Sequence, residues 1–83
     1  MALTPKLSKR ALDYINSLDR TTQSRITSKI NELCLNPFDI RLSKPLKQRS
    51  ERSSRVGDYR ILFMVVESDL VVSKVGHRRE VYD

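Results

Sequence analysis

Cysteine, histidine and glycine are scarce in this 83-residue chain: one Cys, one His, two Gly, and no Trp. The lone Cys34 excludes an internal disulfide, and one histidine beside it excludes a Cys/His zinc cluster. Two glycines, Gly57 and Gly76, cannot build a glycine-rich phosphate loop. No apolar run approaches the roughly 20 residues that a membrane helix needs. The longest, "ILFMVV" at 61–66, has the length of a strand. The start, "MALTPKLSKR", lacks the basic head and long apolar centre of a signal peptide. These absences predict a cytoplasmic protein in a reducing compartment, with no membrane partner, no metal and no cofactor.

What is present is charge of one sign. Acids number 10 against 16 lysines and arginines, for a net charge of +6. Residues 41–60 hold seven bases, Arg41, Lys44, Lys47, Arg49, Arg52, Arg55 and Arg60, against Glu51 and Asp58. The segments on either side are nearly balanced. A basic patch so confined fits a surface that meets phosphates or an acidic partner. A solvated loop whose arginines keep the protein soluble is the plainer alternative. Ten arginines against six lysines favour phosphate, because a guanidinium fork pairs with phosphate oxygens in bidentate fashion. With 39% hydrophobic and 31% charged residues, the chain is expected to fold as one globular domain over residues 1–83.

Thr4-Pro5 has the form of a helix start, a capping residue before a proline. Leu7, Ala11, Ile15 and Leu18 then fall on one helical face, which predicts a first helix over about 5–18. "DRTT" at 19–22 is a polar break. A second helix is predicted over about 22–35, with Ile26, Ile30 and Leu33 as its apolar stripe, Cys34 beside it, and "NP" at 36–37 as its stop. The short break predicts an antiparallel helical hairpin. In the connector "PFDIRLSKPLKQR", Phe38, Ile40, Leu42 and Leu46 are expected to anchor to the core. From residue 50 the period changes to two. "SERSSRV" reads as a strand, "GD" at 57–58 as a hairpin turn, "YRILFMVVE" at 59–67 as a central strand, "SD" at 68–69 as a turn, and "LVVSKV" at 70–75 as a strand. Gly76 is expected to bend or bulge the chain. The order predicts an α+β domain, an N-terminal helical hairpin on one face of a small antiparallel sheet. Tyr59, Ile61, Phe63 and Val65 are expected in the core, and Tyr14 is expected to pack.

The tail "VGHRREVYD" is either a solvated basic end or a last strand. As a strand, "HRREVY" would turn His77, Arg79 and Val81 to one face and Arg78, Glu80 and Tyr82 to the other. Arg60 stands within an apolar strand. It is either paired, with Glu67, Glu80 or Asp58, or it emerges at a concave polar patch. No nucleophile–base arrangement is legible. Arginines, one histidine and one tyrosine beside a basic segment can bind a phosphodiester, neutralise charge developing on it, and move a proton. A metal-free ribonuclease needs little more, because RNA carries its own nucleophile in the 2′-OH.

Two helices, a basic connector, "VGDYRI" at 56–61 and "VGHRREVY" at 75–82, about 20 residues apart, resemble the RelE/ParE superfamily of bacterial toxins. The resemblance covers nearly the whole chain. It implies a compact α+β fold with an antiparallel sheet, and a toxin held inactive by a cognate antitoxin in a hetero-oligomer. RelE-type members cleave messenger RNA in the ribosomal A site; ParE-type members inhibit DNA gyrase and lack the cleavage residues. By the RelE pattern, Arg60 and Arg78 would stabilise the scissile phosphate, Tyr82 would stack on and orient the nucleotide, and His77 would transfer a proton. Lys44, Lys47, Arg49, Arg52 and Arg55 would grip RNA of the ribosome.

The chain departs from that pattern twice. RelE-type enzymes carry lysines, as base and charge stabiliser, on the strand before "GDYR". Here Glu51 and Ser53 stand in those places, with Arg52 and Arg55 expected on the opposite parity, which leaves Glu51 or His77 as base. Relatives also begin with a longer first strand; here it is clipped or absent, which would leave a sheet edge open for an antitoxin segment to cover. The implied activity is a metal-free, ribosome-associated endonuclease that leaves a 2′,3′-cyclic phosphate. The alternatives are a gyrase inhibitor on the same fold, or a weakened RNA- or antitoxin-binding member.

Overall fold

The computed structural model describes residues 2–78. Five strands and two helices follow in the order β1 (Thr4–Leu7), α1 (Lys9–Asn16), α2 (Arg20–Leu35), β2 (Lys44–Pro45), β3 (Arg52–Val56), β4 (Tyr59–Val66) and β5 (Asp69–His77). They form one sheet of order β1-β5-β4-β3-β2. β1 runs parallel to β5, and every other pair is antiparallel. The α+β architecture expected from the sequence is therefore present, with β4 at the centre of a sheet that the short β1 makes mixed.

Both helices cover one face. Ala11 and Ile15 of α1 and Ile26, Ile30, Leu33 and Cys34 of α2 are buried against Val56, Ile61, Phe63, Leu70, Val72 and Val75. Tyr59 and Val65 pack at the margin, as does Tyr14. Phe63, on the central strand, is fully buried.

The chain start differs from the helix expected there. Thr4-Pro5 lies in β1, and Ser8 caps α1, its hydroxyl accepting from the Ala11 N–H at 3.1 Å. Ser8 also donates its hydroxyl to the Ser73 carbonyl at 2.8 Å and its N–H to the Val72 carbonyl at 3.0 Å. A four-residue segment gains a whole ladder by pairing with β5, which outweighs a local cap signal. Asp19 caps α2 through the Thr22 N–H, so this helix starts two residues earlier than expected. Hydrogen bonds from its partners, Thr22 first, hold the Asp19 carboxyl below its ordinary value.

A proline stands on each edge strand of the sheet. Thr4 donates its N–H to the Ser68 carbonyl of the turn and Ser8 donates to the Val72 carbonyl of β5, so residues 5 and 7 direct theirs outward, and Pro5 has none to offer. Leu3 donates to the Cys34 carbonyl at 2.8 Å, at the end of α2. At the other edge Leu46 donates to the Glu51 carbonyl. Alternation then turns the nitrogen of Pro45 outward. The open edge anticipated from a clipped first strand is thus occupied by β1 and blunted.

The connector is held by polar groups. Phe38 and Ile40, expected to anchor it, are 62% and 89% exposed. Leu42 packs on the core and Leu46 is half-buried. Ser54 donates to the Leu42 carbonyl at 2.6 Å, Ser43 to the Pro37 carbonyl at 2.8 Å, and Arg52 Nε to the Ser43 hydroxyl at 2.9 Å. These bonds fix the backbone without burying the two apolar side chains, and the Arg52 guanidinium lies over the Phe38 ring at 5.3 Å.

Gly57 and Asp58 turn β3 into β4 as expected, with Val56 opposite Tyr59. Gly57 has φ +57°, which favours glycine, and a Cβ there would stand 3.2 Å from the Arg25 guanidinium. The β4–β5 turn is Glu67–Ser68, one residue before the expected "SD", with Glu67 at φ 55° and Val66 opposite Asp69. The bulge expected at Gly76 lies instead at Ser73. Leu62 pairs with Lys74 and Phe63 with Val72, leaving Ser73 as the extra residue. β5 continues through Gly76 to His77, and Arg78 lies beyond its end. The rest of the expected closing strand, Arg79 to Asp83, with the inward Val81 and with Glu80 and Tyr82, lies outside the described residues.

Truncating the central residue tests this packing. Phe63→Ala is expected to lower the unfolding free energy by about 3–5 kcal/mol, measured by urea denaturation.

Candidate nucleic-acid interface on the open sheet face

Alternation along β4 divides its residues. Ile61 and Phe63 face the helices, so Arg60, Leu62 and Met64 face away. Cross-strand pairing brings neighbours to that open face: Arg55 opposite Arg60, Ser53 opposite Leu62, and Lys44 opposite Ser53. Arg55 therefore shares the face of Glu51 and Ser53, contrary to the parity expected for it. Arg52 alone lies on the other face, engaged with Ser43 and Phe38.

The result is a concavity of about 240 Å³ lined by Arg60, Arg55, Arg41, Lys44, Ser53 and the backbone turn at 40–43. No acid lines it. Arg55 and Arg60 are directly opposed like charges, an arrangement that costs stability unless an anion lies between them. The Arg60 Nε is sealed from solvent. Arg60 lines a concave polar patch, as one of its two readings from the sequence expected; Glu80, a partner named in the other reading, lies outside the described residues. Arg55 is steered by a 2.8 Å hydrogen bond from its Nε to the Gly57 carbonyl.

Arg55 also lines a second hollow of about 400 Å³ with Arg25, Lys29, Ser24, Ser28 and Gly57. The two hollows meet at Arg55, so cations and hydroxyls continue from the open face around β3 to α2. The sequence reading missed Arg25 and Lys29. Their i,i+4 spacing was the available signal, and it matches any solvated helix face equally well.

Glu51 reaches across β4. Its carboxylate accepts a hydrogen bond from the hydroxyl of Ser73 on the bulge of β5, and that hydroxyl lies 3.3 Å from the Leu62 carbonyl. Glu51 therefore stands on the open face with Arg60, as a candidate base should. His77, the other candidate base, does not. It pairs with Tyr59 and faces the helices, its ring 5.9 Å from that of Tyr59, which is 6.4 Å from that of Tyr14. Arg78 is exposed, and its N–H donates to the Asp58 carbonyl at 2.7 Å, beside the β3–β4 turn. Lys47 and Arg49 sit on the exposed loop between β2 and β3. Tyr82 lies outside the described residues. Among the described residues, no group of three or more His, Cys, Asp or Glu gathers that could hold a metal ion.

Residues 6–82 match the model of the ParE toxin of the type II toxin–antitoxin system parDE. Solved structures agree in fold. An archaeal RelE–RelB complex from Pyrococcus horikoshii superposes with a TM-score of 0.81 at 19% identity, covering 98% of this chain and 100% of that one. The isolated E. coli RelE toxin gives 0.80 at 23% identity, over 98% and 92%. The RelB–RelE antitoxin–toxin complex of Methanococcus jannaschii gives 0.71 at 26% identity, over 94% and 95%. No curated protein matches by sequence.

At the mouth of the concavity, Asp39 grips Arg41 through both carboxylate oxygens at 2.8 and 3.2 Å. The Arg41 guanidinium, with the Arg41 N–H, lowers the Asp39 carboxyl to about 2. A depressed folded-state value means that this clasp contributes fully above the ordinary 3.8 and is lost as pH falls through about 2. Arg41→Leu is expected to return the Asp39 midpoint toward 3.8, followed by carboxyl NMR titration.

Proposed function

This chain belongs to the ParE toxin family of type II toxin–antitoxin systems, within the RelE/ParE superfamily, and we propose that its toxicity lies in metal-free cleavage of messenger RNA on the ribosome. The observation that carries this reading is the opposed Arg55–Arg60 pair in a hollow lined with cations, on the same sheet face as a carboxylate. Guanidinium groups held at fixed spacing suit a phosphodiester whose charge rises in the transition state.

In this mechanism the 2′-oxygen of RNA attacks the adjacent phosphorus, forming the P–O2′ bond as the P–O5′ bond breaks. The products are a 2′,3′-cyclic phosphate and a 5′-OH, the leaving 5′-oxygen taking its proton from water. Glu51 accepts the proton of the 2′-OH, a role for which it is better placed than His77. Arg60 stabilises the pentavalent charge. Arg78 and Tyr82 keep the phosphate-binding and base-orienting roles that the resemblance assigns to them. Lys44, Lys47, Arg49 and Arg55, with Arg25 and Lys29 of the adjoining hollow, hold the surrounding RNA backbone. Arg52, bound to the connector, supports the fold of that segment.

An antitoxin is the protein partner proposed. Neighbours of this fold were solved as toxin–antitoxin complexes, and the basic open face suits an acidic segment. Proline at both sheet edges directs that partner to a face rather than to strand addition.

A second reading, gyrase inhibition without catalysis, is favoured by the ParE family match. Toeprinting of programmed ribosomes together with a supercoiling assay separates the two. Wild type is expected to cut in the A site, and Arg60→Ala to lose on the order of 10²–10³ in rate. An intact A-site message with blocked supercoiling establishes the ParE-type reading instead.

A further inference from the structure

The bulge in β5 has a chemical consequence. Val72 and Val75 are both buried among the helices, at 0% and 3% exposure. In a regular strand, residues three apart face opposite ways. Here the extra residue resets the alternation, so Ser73 and Lys74 both turn to the open face. The pairing agrees: Lys74 is opposite Leu62, whose strand neighbours Ile61 and Phe63 are in the core. So does the Ser73 hydroxyl, which reaches Glu51 on that face. A bulge-free β5 would bury either Lys74 or Val75 on the wrong side.

Lys74 thereby stands beside Arg60. Arg60 is paired with Gly76, two positions along β5 from Lys74, so Arg60 and Lys74 are diagonal neighbours about 7–8 Å apart, their Cβ atoms somewhat closer. On the other side of Lys74 lies the carboxylate of Glu51, tied to Ser73. Along this diagonal the face presents two cations, with the carboxylate of Glu51 tied to the residue next to Lys74. A tetrahedral phosphodiester fits between two such cations.

We propose that Lys74 is a catalytic residue of this site, its ammonium contacting a non-bridging oxygen of the scissile phosphate opposite Arg60. Ser73 is a positioning residue, holding Glu51 over β4. This rests on the RNA-cleavage reading above. The role of Lys74 is charge stabilisation; the proton of the 2′-OH still passes to Glu51, and the electron pair of the broken bond to the 5′-oxygen.

The test is single-turnover cleavage of messenger RNA on programmed ribosomes by the full chain and by Lys74→Met and Lys74→Arg. Thermal melting checks that both variants fold. Lys74→Met is expected to lower the cleavage rate on the order of 10²-fold, with little change in the toxin concentration at half-saturation, and Lys74→Arg to recover part of that loss. A second measurement does not need turnover. Binding of a 2′-O-methyl RNA across a salt series should lose about one unit of slope in Lys74→Met. Wild-type cleavage with an unimpaired Lys74→Met, or an unchanged salt slope, overturns the assignment of Lys74 and leaves the cleavage reading standing. A wild type that folds yet does not cleave overturns the cleavage reading, and the role of Lys74 with it.

Discussion

Two short helices can cover one face of a five-stranded sheet and no more. In a chain of 83 residues that constraint shapes everything else, since a domain this small buries only about 60% of the surface its unfolded chain exposes. The apolar set of β4 and β5 is spent beneath α1 and α2, with Phe63 at its centre. The other face must therefore meet water or a partner. This chain fills it with Arg55, Arg60, Lys44 and Lys74, and with serines.

Such a face could not survive as an ordinary surface without cost. Arg55 opposite Arg60 is a repulsive pair, and proteins keep such arrangements where an anion relieves them. The edges show the complementary treatment. Pro5 and Pro45 each remove an outward N–H that could pair with another strand. The sheet is thereby blunted along its sides and left open on one face, which is where recognition by phosphate or by an acidic partner can occur.

The strands and the second helix were legible because their signals are local: period-two alternation from residue 50, an apolar stripe at 26, 30 and 33, and Gly57-Asp58 at the hairpin. The misread elements each turn on a distant partner. Thr4-Pro5 carries a sound helix-start signal, yet β5 recruits it into a strand. Phe38 and Ile40 are the obvious anchors of the connector, yet Ser43, Ser54 and Arg52 hold it by hydrogen bonds. His77 and Arg60 both suit catalysis by residue type. They fall on opposite faces, because Tyr59 pairs with His77 and Gly76 with Arg60.

Composition, charge placement and hydrophobic period determined the class of protein: a small basic α+β domain with a cationic middle segment and a central strand at 59–66. These depend only on which residues are near one another along the chain. Tertiary structure decided which side chains share a face. One extra residue at Ser73 reverses the parity of everything after it, and no local pattern announces a bulge whose side chain is held by Glu51, 22 positions away. That reversal turns Val75 inward, brings Lys74 onto the face of Arg60, and sends His77 to the aromatic cluster beneath the helices.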